Sequence, residues 1–277
     1  MKFSNCIVLF LLIGVFSVQA DGIFKCVQDD GTIKYTEKQA DCDNAEDLTN
    51  RKKANDKTSV NYRFPLRSYA HKKGGIWDIY VEESMVLGDP KLYNDALNKL
   101  NKTLEALYVV LPDQAKSKLK QLNVFLLWGE AAPKGGRKNG MSFIRVGEPD
   151  NYHYLDPKWE NAIVIYSAEN LMYLNELWSK KALFHELSHA WHILNWPEKH
   201  PPIYEPWEQS KHAQRYTHVK DIKGTVIKSA YARKNQLEYF AELSAMYFVG
   251  GNYYPYDKAG LKKYDPEGYA MVESLWN

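Results

Sequence analysis

The sequence predicts an α+β domain preceded by a small β segment. Three observations predict it. The strand-like apolar runs of the main body all lie before Ser179, and long helix-period segments carry the polar chemistry after it. Ahead of both sits a short stretch with a lone pair of cysteines around a turn signal. The 277 residues and a net charge of +2 provide for one sizeable core and leave out a nucleic-acid partner.

The elements follow in chain order. Met1–Ala20 carries Lys2, an apolar stretch from Cys6 to Val18 and a Ser-Val-Gln-Ala ending, the pattern of a signal peptide. The mature protein is therefore expected to be secreted or periplasmic. No later run is apolar for the ~20 residues that a membrane crossing requires. Setting Cys6 aside leaves Cys26 and Cys42, an even pair in an oxidising compartment and a candidate disulfide. Lys25 to Thr36 reads as a hairpin around Asp30-Gly31, so residues 21–45 form a small cysteine-stapled β domain. That segment is similar to a short domain of unknown role found after the signal in bacterial envelope proteins. Two thiols without a nearby histidine make a poor zinc site.

Residues 46–73 are polar and charged, with Arg51-Lys52-Lys53, and read as a linker. Residues 74–277 are the main domain. Ile76–Val81 is a strand, and Asp89-Pro90 opens a helix with Leu97, Leu100, Leu104 and Leu107 at apolar positions. Val124–Trp128, Ser142–Val146 and Ala162–Tyr166 are further strands, the last proposed as the sheet edge. The basic loop Lys134–Lys138 reads as solvated surface.

The chemistry concentrates at His185-Glu-Leu-Ser-His189, an H-E-x-x-H pattern on a helix expected from about Ser179. At 3.6 residues per turn the two imidazoles project about 40° apart, one turn above the other, in reach of a single zinc ion. Glu186 beside them is the candidate general base for a metal-activated water. Leu183, Phe184, Leu187, Ala190, Trp191 and Leu194 share the opposite arc, a distribution that a solvated surface helix would also show. A third ligand is needed. Asn195 stands where a later histidine ligand of one H-E-x-x-H class would be, and His192 lies about 10 Å along the axis from His185, which leaves it a rim or hydrogen-bonding role.

A second helix, residues 235–249, supplies the remaining route. Glu238 and Glu242 are one turn apart on an otherwise apolar segment, where carboxylates need partners. Glu238 is a third metal ligand or, with Asn235, half of a capping box. Glu242 is placed to accept the outer N–H of a ligating histidine.

Tyr231-Ala-Arg-Lys-Asn-Gln-Leu-Glu238-Tyr-Phe-Ala-Glu242, with the H-E-x-x-H helix upstream, resembles the catalytic domain of the anthrax lethal factor type of gluzincin. The ending, from Asn252-Tyr-Tyr-Pro-Tyr to Trp276, is similar to that of its secreted relatives. The resemblance covers roughly residues 75–277 and implies a zincin-like metallopeptidase domain, a mixed sheet and motif helix followed by a helical part. It further implies zinc on His185, His189 and Glu238, Glu186 as base, and Tyr231 as hydrogen-bond donor to the developing oxyanion. The expected function is a zinc endopeptidase acting on peptide or protein substrates. Two alternatives stay open: a zinc-containing binding module without catalysis, and a zinc amidase acting on cell-wall peptides. Oligomeric state is not legible.

Overall fold

A computed structural model describes residues 24–27, 33–36, 45–47, 66–152 and 154–277. Contacts divide the chain into two compact units, Met1–Asn61 and Tyr62–Asn277. In the first, β1 (Phe24–Val27) pairs antiparallel with β2 (Ile33–Thr36) in the register Val27↔Ile33, and β3 (Ala45–Asp47) adds to the other side of β1. The expected hairpin strands are present. The signal segment, the Asp30-Gly31 turn and the Cys26–Cys42 pairing lie outside the described residues.

The second unit runs β4 (Tyr69–Gly74), β5 (Trp77–Glu82), α1 (Glu83–Gly88), α2 (Pro90–Val110), α3 (Asp113–Leu119), β6 (Asn123–Leu126), β7 (Met141–Ile144), α4 (Glu148–Asn151), β8 (Ala162–Ile165), α5 (Ala168–Tyr173) and α6 (Glu176–Asn195). It continues with α7 (Pro201–His212), the antiparallel pair β9 (Thr217–Lys220) and β10 (Val226–Ser229), then α8 (Gln236–Phe248), α9 (Lys258–Tyr264) and α10 (Pro266–Trp276). Its larger sheet has the order β4-β5-β6-β8-β7. The chain is thus α+β with a mixed sheet, β5-β6-β8 parallel and both edges antiparallel.

Burial explains the order. All four residues of β8 are buried, as a continuous apolar run covered on both faces requires. This corrects the expectation that Ala162–Tyr166 forms the edge: the edge is β7, the less buried Met141–Ile144. The opposite edge, β4, falls in all but its last residue inside the segment read as linker. Its exposed His71, Lys72 and Lys73 hide a strand behind a polar composition, and charges of that kind blunt an open edge.

Local signals fix the helices. Asp89 accepts the N–H of Leu92 at 2.9 Å and Pro90 occupies the first turn of α2. In α6, which begins at an Asn175 cap rather than at Ser179, the apolar arc is buried as far as Trp191, with Leu194 half-buried, but His185 and His192 are buried too. The second arc is partly covered, with Glu186 and His189 left half-buried, because α8 packs against α6 and carries Tyr239, Phe240, Leu243 and Met246 into the same core. Trp276 of α10 closes the packing, its ring centroid 5.4 Å from Phe184, 5.3 Å from Trp191 and 6.2 Å from Phe240, its indole N–H on Ser244. Rings buried this completely stabilise by roughly 2–3 kcal/mol each, so this cluster sets the α6–α8 spacing more firmly than any surface ion pair. Among the described residues no helix is long and apolar enough to cross a membrane.

Candidate metal centre

The first turn of α8 meets the middle of α6. Asn235 caps α8 by accepting the Glu238 N–H at 2.9 Å, which uses the backbone of Glu238 and leaves its carboxylate free. That carboxylate does not return to its own helix start. Its Oε2 lies 3.1 Å from Nε2 of His185 and 3.1 Å from Nε2 of His189, and the two Nε2 atoms are 3.0 Å apart. Asn235 thus supplies the cap through the Glu238 backbone, and the Glu238 side chain, instead of completing a capping box, faces the two histidines, where it could serve a metal ion.

These three residues form a buried group able to hold a metal ion. The donor set fits one. Each converging atom can offer a lone pair: with the imidazoles protonated on Nδ1, both Nε2 lone pairs and the Glu238 oxygen turn toward one point. A tetrahedral ion with bonds of about 2.0–2.2 Å sets its ligand atoms about 3.3 Å apart, close to the spacing seen here.

Charge around the group is arranged in layers. Burial works against the imidazolium of His185, yet its contacts with Glu238 and Glu242 push that ring up to about 10. Glu238 is the mirror case: burial alone would raise it, and His185, His189 and Lys234 together hold it well below the usual carboxylate range. Behind His185, Oε1 of Glu242 lies 3.0 Å from Nδ1, in the place expected for it. The ring N–H does not point along that line, so the contact acts through charge. The buried ammonium of Lys181 sits 2.9 Å from the same Oε1. Although burial opposes its ionisation, Lys181 and His185 keep Glu242 ionised, down to about 2.

Glu186 opens onto the cleft beside the ligand trio, and its Oε2 accepts the backbone N–H of Phe143 in β7 at 2.8 Å. Burial raises this carboxyl above its ordinary range, against the pull of His185, His189 and the Phe143 N–H. Tyr231, in a 3-10 turn (Tyr231–Arg233) ahead of α8, is 47% exposed and stands with its ring 5.8 Å from that of His185. The cleft runs between these groups and Met141, Ser142, Phe143, Val146 and Tyr152.

One expectation is corrected. His192 is not on the rim: it is fully buried against Phe240, with Nε2 3.1 Å from the Pro197 carbonyl, so only the hydrogen-bonding half of its reading survives. Burial pushes it down to about 4. The segment before α7 braces the cleft from outside, through Glu198 to Arg145 at 2.8 Å. Sequence reasoning missed Lys181, Lys234 and the Phe143 N–H. Lys181 and Lys234 each lie four residues before a site residue, His185 and Glu238, a helical spacing that was open to notice; the Phe143 contact is tertiary and left no local signal. No family model and no curated protein matches the chain.

Proposed function

We propose that residues 74–277 are a zincin-like metallopeptidase domain, a zinc-dependent endopeptidase working outside the cytoplasm on extended peptide or protein substrates. The observation that carries this reading is the convergence of His185, His189 and Glu238 on one point, with Glu186 beside it and an open strand edge across the cleft.

Zinc is the ion that two imidazoles and one carboxylate suit best, and when bound it supplies a Lewis acid that polarises a carbonyl and lowers the pKa of a water to about 7. The protein does the rest. Phe143 holds Oε2 of Glu186, so the other carboxylate oxygen is left to take a proton from the attacking water and pass it to the departing amine nitrogen. A carboxyl raised by burial suits that exchange better than an exposed one. Tyr231 donates to the carbonyl oxygen as negative charge develops there. In antiparallel β7 the Phe143 N–H turns away from β8, so the backbone groups of Met141 and the Phe143 carbonyl face outward, where an extended substrate adds as a further strand.

The test is a peptide-library digest with the mature protein, with and without chelator, beside cell-wall fragments. Cleavage of peptides that chelator stops and zinc restores is expected, with Glu186→Gln binding zinc but cutting nothing. One zinc per chain with no peptide cut would instead support a binding module, and cleavage of cell-wall fragments alone would support an amidase.

A further inference from the structure

We propose that Lys234 is a positioning residue of this centre: its ammonium, shared between the phenol oxygen of Tyr231 and the outer carboxylate oxygen of Glu238, turns the single phenolic proton into the cleft. The inference rests on the peptidase reading above and adds to it a residue to which the sequence reading gave no role.

Three observations carry it. Nζ of Lys234 lies 3.0 Å from Oη of Tyr231 and 2.9 Å from Oε1 of Glu238, while Oε2 of the same carboxylate faces the histidines. One lysine therefore divides the ligand's two oxygens, one inward and one outward. An ammonium has three donors and no acceptor, so at its contact with Tyr231 the phenol oxygen must accept, and the O–H points elsewhere. Without Lys234 the Glu238 oxygen that shares this ammonium would be a competing acceptor for the phenol's one proton. A phenol donating to Glu238 has no proton left for a substrate oxygen. Lys234 takes up Oε1 and removes that competitor.

The local chain explains why one residue reaches both. Lys234 ends the 3-10 turn that begins at Tyr231, three residues back, and precedes Glu238 by four, across the Asn235 cap. Its Nζ lies 4.7 Å from the Tyr231 ring centroid, and its side chain stays 55% exposed. Turn, cap and first helical turn thus hold phenol, ammonium and ligand at fixed separations.

The experiment compares zinc-loaded wild type, Lys234→Met, Lys234→Arg, Tyr231→Phe and the double variant Lys234→Met/Tyr231→Phe. It measures kcat and KM on a peptide that wild type cuts, affinity for the phosphonamidate analogue of that peptide, and zinc affinity by chelator competition. Lys234→Met is expected to lose about tenfold to a hundredfold in kcat and similarly in phosphonamidate affinity, with KM and zinc affinity changed less than about threefold. The double variant should be no worse than Tyr231→Phe alone, and Lys234→Arg should recover part of the loss. Losses that multiply in the double variant, or a Lys234→Met loss that tracks zinc affinity, would overturn the positioning role. If wild type cuts peptides and Lys234→Met equals it in kcat and inhibitor affinity, this inference alone fails. A zinc-loaded wild type that cuts no peptide removes the peptidase reading and this inference with it.

Discussion

Two buried carboxylates lie beside consecutive residues of α8 and differ in how many protons their neighbours bring. Glu238 faces the candidate metal site; Tyr239, the next residue, turns to Asp265, the N-cap of α10. Asp265 is saturated. Its Oδ2 accepts from Tyr216 at 2.9 Å and Tyr239 at 2.6 Å, its Oδ1 from Arg215 at 3.0 Å and the Gly268 N–H at 3.1 Å. Burial first and then the charge of Asp265 raise both phenols, which keeps them donors. Glu238 faces two imidazole nitrogens that are themselves acceptors unless protonated. A carboxylate supplied with protein donors on both oxygens is scaffold, and one with a lysine on its outer oxygen and only imidazole nitrogens at its inner one is a candidate place for a cation.

The sharpest way to break this contrast is at the base. Glu186→Gln should lower kcat/KM about 10³-fold on a cut peptide while zinc content stays at one per chain; near-normal turnover would remove Glu186 from its role. Next comes the pair itself. Glu238→Gln should cost at least about a hundredfold in zinc affinity by chelator competition, while the stability lost by the chelated protein stays smaller than for the scaffold carboxylate. Asp265→Asn should do the reverse, destabilising by about 3 kcal/mol in urea titration with the zinc affinity of the folded fraction preserved. Both variants failing in the same assay would mean that the two clusters are not distinct in kind.

A smaller effect is expected one layer out. Glu242→Gln should weaken zinc by about tenfold to a hundredfold, because His185 loses the charge behind its Nδ1. The smallest concerns acid. His192 is depressed to about 4 from an ordinary value near 6.5, so on acidification the unfolded chain takes the proton first. The stability that this histidine contributes is present above pH 6.5 and is lost as the pH falls toward 4. The loss is about 2 kcal/mol by pH 5. In chelated protein, His192→Gln should flatten the stability profile over that window, and an unchanged slope would place the acid sensitivity elsewhere.

Much of the domain was legible because periodicity and burial agree. The caps Asp89 and Asn235, the buried run of β6 and the apolar arc of α6 follow from local spacing, and the trio His185, His189 and Glu238 follows from the H-E-x-x-H pattern and one improbable carboxylate on an apolar helix. The failures share a cause. Whether Ala162–Ile165 lies central or at the edge, and whether His192 faces solvent or Phe240, depends on what packs against each from far along the chain. β4 was hidden because an edge strand tolerates charges that read as linker. Lys181 and Lys234 were ordinary lysines until two carboxylates came to stand beside them.

The most direct test is the local structure of the metal-loaded protein at the zinc absorption edge, by anomalous diffraction or X-ray absorption. One ion is predicted, with two nitrogens at about 2.0–2.1 Å from His185 and His189 and one oxygen at about 2.0–2.2 Å from Glu238. An ion held elsewhere, or a Glu238 side chain folded back onto the start of α8 while the histidines bind alone, would contradict the account.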